Sequence, residues 1–212
     1  MQTLSNRLLA VASLVRNGAV VADIGTDHGF VPVYLYRIGV IKGAVAADVN
    51  EGPLASCRAL VRQEGLEGVI KTVQSNGLDN ISSDEFDTVI IAGMGGELIA
   101  DILSRKNLAQ KHIILNPMTH PEAARKYLYD NGFDIINDFI VKDGKRYYSV
   151  FDAVYDGVCR RKTEIDYYLG NIKDFTHKEY FFHLLKYFYN KQKSGEDYGD
   201  VISALEAVYD NG

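Results

Sequence analysis

The sequence predicts a doubly wound α/β domain with a mainly parallel sheet, followed by a small all-α segment. Short runs rich in Val, Ile and Ala alternate with amphipathic stretches up to residue 131, as in buried parallel strands joined by helices. The rhythm then changes to two longer runs parted by Asp143–Lys145, which is a hairpin signal. This hairpin predicts a C-terminal antiparallel strand at the edge of the sheet, a feature that dinucleotide-binding domains usually lack.

Five apolar runs predict the parallel strands. We expect these strands at residues 19–24, 43–48, 70–74, 86–92 and 112–115. Helices are expected at residues 4–16, through 34–36, and at 53–64, 98–104 and 122–131. Leu4, Leu8 and Val11 share one face of the first helix, and Pro53 suits the first turn of the third. The order of elements therefore predicts five β–α alternations before the hairpin.

Length and composition predict the division into domains. A chain of 212 residues with 47% hydrophobic content can bury one core and carry an appendage, and we place the domains at residues 1–156 and 157–212. No apolar run approaches membrane-spanning length and no signal peptide is recognisable, so a cytoplasmic protein is expected. Cys57 and Cys159 lack metal-like spacing, so we expect no metal site. A monomer is favoured.

The C-terminal segment is basic although the whole chain is acidic. Residues 157–193 carry eight Lys and Arg against four Asp and Glu, whereas the net charge of the chain is −5. Apolar residues in the segment follow three- and four-residue spacing, which predicts helices and a short final one at 201–209. The aromatic run between Tyr180 and Tyr189 is compatible with stacking on nucleobases, but packing in a helical core is favoured.

The stretch Val21–Phe30 predicts a nucleoside-cofactor site. An apolar strand ends in Asp23 and turns through Gly25 and Gly29, which allow the chain to approach a ligand closely. Dinucleotide loops have G-x-G-x-x-G and no anion where the pyrophosphate lies, whereas Asp27 stands in this loop. An acidic loop suits a cofactor with an amino group and a sulfonium, which indicates S-adenosyl-L-methionine.

Two further loops at strand ends extend this prediction. Asp48 ends the second strand, where an acid accepts the ribose hydroxyls of an adenosine. Asn76 follows the third strand and is placed to bond the adenine amine, although a plain Asn-Gly turn explains it nearly as well. The glycine-rich Ala92–Gly96 follows the fourth strand, at the sheet edge where open α/β folds bind ligands, and predicts a cleft for a planar substrate. Asn116 and Pro117, which end the fifth strand, are expected to line the same cleft, although a helix-start turn explains them equally well.

These motifs together resemble the bacterial tRNA (adenine-N1)-methyltransferase family that modifies adenine 22 in the D-arm. The resemblance covers roughly residues 1–155 and rests on the following segments: Leu4–Leu8, Asp23–Gly29, Asn50–Pro53, Gly77-Leu78, Ile91–Gly96, Asp130–Phe133 and Asp143–Lys145. It implies a Rossmann-like methyltransferase domain, a coiled-coil-like C-terminal domain that binds tRNA, and S-adenosyl-L-methionine as cofactor. The predicted cofactor-binding residues are Asp23, Gly25, Thr26, Gly29, Asp48, Val49, Asn76, Gly77, Ala92, Gly93 and Met94. The predicted substrate-binding residues are Gly95, Gly96, Asn116, Pro117 and Arg7.

The expected chemistry is direct attack by N1 of adenine on a methyl group. N1 has a lone pair, so the main catalytic tasks are placement and stabilisation of the cationic product ring. Asp27 is the candidate carboxylate for that charge, and His28 is the candidate proton acceptor or positioning group. The sequence leaves open a methyltransferase for a small molecule or protein, a nicotinamide-dependent oxidoreductase, and a cofactor-binding sensor.

Overall fold

A computed structural model describes residues 3–173, 176–195 and 197–211 of the chain. The described part holds one seven-stranded sheet with the following strands: β1 Ala19–Ile24, β2 Ile41–Asp48, β3 Ile70–Gln74, β4 Thr88–Ala92, β5 His112–Asn116, β6 Phe133–Asp143 and β7 Arg146–Tyr155. Its α-helices are as follows: α1 Asn6–Ser13, α2 Phe30–Arg37, α3 Glu51–Gln63, α4 Gly96–Ser104, α5 Pro121–Asp130, α6 Glu164–Leu169, α7 Lys178–Lys193 and α8 Gly199–Asn211. A short 3₁₀ helix spans Ser83–Glu85.

The strand order is β3-β2-β1-β4-β5-β7-β6, with β1 to β5 parallel. The chain moves outward from β1 to β3, then returns to the other side of β1 at β4. This reversal opens a crevice at the carboxyl ends of β1 and β4, which is where open α/β sheets bind ligands. The predicted doubly wound, mainly parallel sheet is therefore confirmed.

The hairpin completes the sheet next to β5. β7 runs antiparallel to β5 and to β6, so the antiparallel strand is β7 and the outermost strand of this edge is β6. Phe151 and Ala153 of β7 are fully buried in the main core beside residues of β4 and β5. Consecutive residues Ser149–Ala153 are buried, so both faces of β7 are covered there, whereas burial along the outer strand β6 is interrupted.

Helices α6, α7 and α8 form a small apolar cluster against the hairpin. Phe181 and Phe188 of α7 are almost fully buried there, beside Leu205 of α8 and Ile140 of β6. The prediction that the aromatic run packs in a helical core is thus confirmed for these two phenylalanines. Tyr167 of α6 packs in the main core instead, so the helical segment is attached to the sheet domain through shared apolar contacts.

A buried ion pair fixes the start of this helical segment. Both guanidinium contacts of Arg125 with the carboxylate of Asp138 are 2.9 Å long, and both side chains are fully buried. Arg125 also donates to the carbonyl of Tyr167 at 3.0 Å, and the backbone N–H of Asn171 donates to Asp138 at 3.0 Å. One pair therefore joins α5, β6 and the connection around α6.

Candidate functional site

The first loop at the carboxyl edge follows β1 and is held against β2. The backbone N–H groups of Gly25 and Thr26 both donate to the carbonyl oxygen of Ala47, at 2.8 and 3.0 Å. The N–H of Gly29 donates to the carbonyl of Thr26 at 2.8 Å, and Gly29 has a left-handed φ of 74° as the N-cap of α2. The predicted cofactor loop is thus a compact turn whose backbone conformation is fixed by the neighbouring strand.

Asp23 supplies a buried carboxylate directly beneath this loop. Its side chain is 5% exposed and accepts a hydrogen bond of 2.6 Å from the hydroxyl of Thr26. Burial raises the pKa of Asp23 to about 6, the bond from Thr26 acts in the opposite direction, and the negative charge of Asp48 raises the pKa further. A carboxylate with this pKa near a ligand crevice is typical of a functional site, because it gains from a cationic partner.

The loops after β2 and β3 bring further predicted residues to the same edge. Asp48 is half-buried, and its carboxylate accepts the backbone N–H of Asn50 at 2.8 Å. Val49 beside it is 54% exposed, which leaves an apolar surface next to that acid. Asn76 is exposed, whereas Gly77 is buried against Ile102 of α4. The structure therefore places an acid, an apolar side chain and an amide together along this part of the edge.

The two glycine motifs meet across the crevice. A Cβ atom at Gly25 would lie 2.4 Å from the terminal methyl carbon of Met94, so the methionine packs directly on the first loop. Met94 and Ala92 are both half-buried, while Gly93 between them is exposed. The prediction that the loops after β1 and β4 share one site is consistent with this contact.

Backbone hydrogen bonds join the loop after β4 to the loop after β5. The N–H of Gly93 donates to the carbonyl of Asn116 at 3.2 Å, the N–H of Met118 donates to the carbonyl of Met94 at 2.8 Å, and the N–H of Gly96 donates to the carbonyl of Thr119 at 2.8 Å. A Cβ at Gly96 would lie 1.9 Å from a backbone oxygen in the second loop, so only glycine fits there. These bonds give the crevice a rigid floor.

Asn116 connects this floor to the N-terminal helix. Its side chain is fully buried, and its Nδ2 donates to the carbonyl of Ser149 at 3.0 Å. Arg7 donates from Nη1 to the Oδ1 of Asn116 at 3.1 Å and lies 3.7 Å from the carboxylate of Asp143. The structure thus brings Arg7, Asn116 and the buried Pro117 together, although the Asn116 amide is occupied by protein partners.

Asp27 and His28 form the exposed tip of the first loop. Their side chains are 71% and 47% exposed, and Oδ1 of Asp27 lies 3.5 Å from Nε2 of His28. Asp27 has a left-handed φ of 49°, and the ring of His28 stacks on Phe30 with centroids 5.1 Å apart. Both side chains are accessible to a substrate over the crevice, which their predicted catalytic roles require.

A row of tyrosines next to the crevice was missed as a set by the sequence analysis. Tyr147 and Tyr148 of β7 face Tyr180 and Tyr187 of α7 across a cavity. The only sequence signal was the aromatic run in α7. The contribution of β7 becomes visible only when the hairpin is folded against that helix.

The chain matches known methyltransferases in sequence. The family described as "Methyltransferase domain" matches residues 4–151. The tRNA (adenine(22)-N(1))-methyltransferase of Bacillus subtilis (strain 168) is 38% identical over 165 residues, which are 73% of this chain and 69% of that protein. The chain belongs to this tRNA methyltransferase family. The resemblance to this family that the sequence motifs indicated is therefore confirmed.

Solved structures resemble this methyltransferase over its whole length. Sp1610 of Streptococcus pneumoniae in complex with S-adenosyl-L-methionine has 30% identity and a TM-score of 0.88, over 98% of this chain and 100% of that chain. The B. subtilis m1A22 tRNA methyltransferase TrmK has 29% identity and a TM-score of 0.81, over 100% and 96% of the two chains. The likeness includes the C-terminal helices, so the hairpin and helical segment belong to the shared fold.

The described ranges contain neither a membrane-spanning helix nor a metal-binding group of side chains. No helix there combines the length and apolar character that crossing a membrane requires. His, Cys, Asp and Glu side chains in the same ranges form no group of three or more that could hold a metal ion.

Proposed function

We infer that this methyltransferase transfers a methyl group from S-adenosyl-L-methionine to N1 of adenine 22 in the D-arm of tRNA. A relative 38% identical is the tRNA (adenine(22)-N(1))-methyltransferase of B. subtilis, and a structure 30% identical contains S-adenosyl-L-methionine. The observation that carries the inference is the buried carboxylate of Asp23 beneath a glycine-rich loop that contacts the second glycine motif. Because tRNA is the substrate, the cytoplasm is the proposed location.

The residues at the carboxyl edge fit the proposed cofactor. The buried carboxylate of Asp23 suits the amino group of the cofactor, and the carboxylate of Asp48 suits its ribose hydroxyls. When bound, S-adenosyl-L-methionine supplies an electrophilic methyl group on a sulfonium. We propose that the following residues hold it: Asp23, Gly25, Thr26, Gly29, Asp48, Val49, Asn76, Gly77, Ala92, Gly93 and Met94.

The proposed catalytic residues act on charge and position. N1 of neutral adenine carries a lone pair, so no residue needs to remove a proton before transfer. The exposed carboxylate of Asp27 is proposed to stabilise positive charge on the adenine ring. His28, whose ring orientation is fixed by stacking on Phe30, is proposed to position the base. If Asp27→Asn leaves kcat and cofactor affinity at the wild-type values, Asp27 has no part in the reaction.

The acceptor base must reach the site with its Watson–Crick edge free. N1 is hidden in a paired adenine, so the base is unpaired or flipped out before reaction. The proposed substrate side of the crevice consists of Gly95, Gly96, Asn116, Pro117 and Arg7. We further propose that residues 1–156 form the methyltransferase domain and that 157–212, with their basic stretch, bind tRNA phosphates.

Labelled methyl transfer to an unmodified tRNA transcript tests this function. We expect 1-methyladenosine in the digested product of the wild-type reaction. Asp23→Asn should lower incorporation at least tenfold through weaker cofactor binding. Glu67→Gln is the matched control, because Glu67 is an exposed acid near the amino end of β3, away from the crevice. Incorporation that is absent with wild-type protein, or equal in wild type and Asp23→Asn, would contradict the proposal.

A further inference from the structure

A groove lined with tyrosines leads away from the candidate active site. Its inner end is a cavity of about 300 Å³ and its outer end one of about 410 Å³. Both are lined by Met118 and by the four residues that we call the groove tyrosines: Tyr147, Tyr148, Tyr180 and Tyr187. These volumes lie in the range of ligand sites in proteins.

The groove is continuous with the crevice at the carboxyl edge. Pro117 and Met118, which line its inner end, directly follow Asn116 at the end of β5. The N–H of Met118 donates to the carbonyl of Met94 at 2.8 Å, so the groove and the second glycine motif share one hydrogen-bonded floor. A polymer whose reacting unit lies over Gly93–Gly96 can therefore continue into the groove.

The side chains of α7 are divided between the core and the groove. Phe181 and Phe188 are buried in the helical cluster, whereas Tyr180 and Tyr187, each one position earlier, line the groove. Tyr187 is 41% exposed. The exposed ring of Tyr187 and the half-buried rings of Tyr147 and Tyr148 offer the groove an aromatic surface that also carries polar hydroxyl groups. This chemistry suits nucleobases, which stack on aromatic faces and remain partly hydrated.

The charges around the groove favour a nucleic-acid backbone at its outer end. Lys145, Arg146 and His183 line that end, and the first two are exposed at the tip of the hairpin. The acid at the inner end, Glu122, is paired with His120 at 2.9 Å. The outer end is therefore basic where a phosphate would leave the groove.

We propose that the tyrosine groove binds unpaired nucleotides of the substrate tRNA next to the target adenine. Their bases stack on the groove tyrosines, and their phosphates contact Lys145 and Arg146. This inference rests on the proposed function, which is the reason to expect an RNA strand at the adjoining crevice. It adds a second binding region that holds the strand while the target base is flipped out.

Tyr187 allows a sharp test because it is exposed. We expect Tyr187→Ala to raise the dissociation constant for an unmodified tRNA transcript about tenfold, which is the effect of one lost stacking contact. Tyr187→Phe should bind like wild type, since the ring is retained. The matched control is Tyr155→Ala, which is 40% exposed and lies at the opposite end of β7 from the groove, and which should also bind like wild type.

Direct binding and methyl transfer are measured separately on the same transcript. Unchanged binding by Tyr187→Ala, or an equal loss in Tyr187→Phe or Tyr155→Ala, would overturn the groove proposal even if wild type methylates adenine 22. Wild-type protein that binds the transcript with the expected variant pattern but does not methylate it would contradict the proposed function alone. Wild-type protein that does not bind the transcript would overturn both.

Discussion

At Asp23, folding stability and the proposed cofactor binding have opposite requirements, because one favours the protonated carboxyl and the other the ionised carboxylate. Its pKa is about 6 in the folded protein, chiefly because of burial, against an ordinary value of 3.8. Between pH 4 and 6 the folded chain therefore retains a proton that the unfolded chain releases. Stability of the cofactor-free protein consequently falls as pH rises through this window, and it stays lower above pH 6. A bound cation reverses the balance, because it favours the ionised carboxylate.

This opposition predicts that Asp23→Asn stabilises the cofactor-free protein while weakening cofactor binding. At pH 7.5 the free energy of unfolding should rise by about 1–3 kcal/mol, since the penalty of a buried charge is removed. Urea unfolding measures this change in the free energy of unfolding. Glu67→Gln is the control, for which we expect almost no change.

The same carboxylate sets a pH dependence for the wild-type protein. Calorimetric affinity for S-adenosyl-L-methionine should increase from pH 5 to about pH 6 and then level off, and Asp23→Asn should lack this rise. A flat wild-type profile would show that Asp23 does not contact the cofactor.

Site residues that directly follow a strand could be predicted from the sequence. Site residues that come from distant parts of the chain and meet only on folding could not. Asp23 and Met94 lie in motifs whose position after a strand already indicates a ligand site. Tyr148 and Tyr187 are 39 positions apart in different elements, so only the packing of α7 on the hairpin shows that they share a groove. The sequence therefore predicted residues for the cofactor side of the site, whereas the adjoining groove was not predicted.

The link between the hairpin and the helical segment depends on the Arg125–Asp138 pair. Removing one partner of a buried ion pair leaves an uncompensated charge, so Arg125→Ala should lower the free energy of unfolding by about 3–5 kcal/mol. The neighbouring Lys126→Ala breaks an exposed pair with Asp130 and a cation–π contact of 5.1 Å with Tyr167, and should cost less than about 2 kcal/mol. Chemical denaturation of both variants measures the difference. Equal losses would mean that the buried pair does not hold these elements together.

The types of the elements were predictable, but some of their ends were not. The first helix was expected at 4–16 and ends at Ser13, because Leu14 and Val15 donate to residues three positions earlier and tighten the last turn. Val15 is still buried, so the apolar pattern continued beyond the helix. The fourth strand begins at Thr88 rather than residue 86, since Phe86 is buried as a core residue of the preceding loop. The spacing of apolar residues indicates which side chains are buried. It does not fix the ends of helices and strands, because residues outside them are buried as well.

At the scale of the whole molecule, binding of tRNA should depend on the basic residues of the helical segment. Lys178, Lys186 and Lys193 of α7 are exposed, and each phosphate contact that is lost reduces the salt dependence of binding. Replacing all three by Gln should lower the slope of log K against log salt concentration by about 2–3. Filter binding at several salt concentrations measures this slope.

A matched triple variant separates local contacts from net charge. Lys42, Arg62 and Lys71 are exposed on the other domain, so their replacement by Gln changes the net charge equally. That control should leave the slope nearly unchanged. If both triple variants reduce the slope to the same extent, α7 is not the tRNA-binding surface.

The overall architecture followed from the sequence because its physical causes are local and repeated. Buried Val- and Ile-rich strands alternate with helices, and this alternation restricts the chain to a parallel, doubly wound sheet. The attachment of the helical segment was not predictable, because it depends on contacts between distant parts of the chain. Tyr167 packs in the main core, and Arg125 donates a hydrogen bond to the backbone carbonyl of Tyr167. The basic segment looked separable in sequence, yet its first helix is part of the core of the sheet domain.

The position of the methyl group on tRNA tests the central claim most directly. An unmodified transcript is reacted with S-adenosyl-L-methionine and the wild-type protein, and its nuclease fragments are weighed and reverse-transcribed. We predict one added methyl group in the fragment that contains adenine 22, and a reverse-transcription stop at that adenine because N1 methylation blocks base pairing. A transcript with guanine at position 22 should remain unmodified. Methylation of the guanine-22 transcript, or a methyl group in another fragment, would contradict the account.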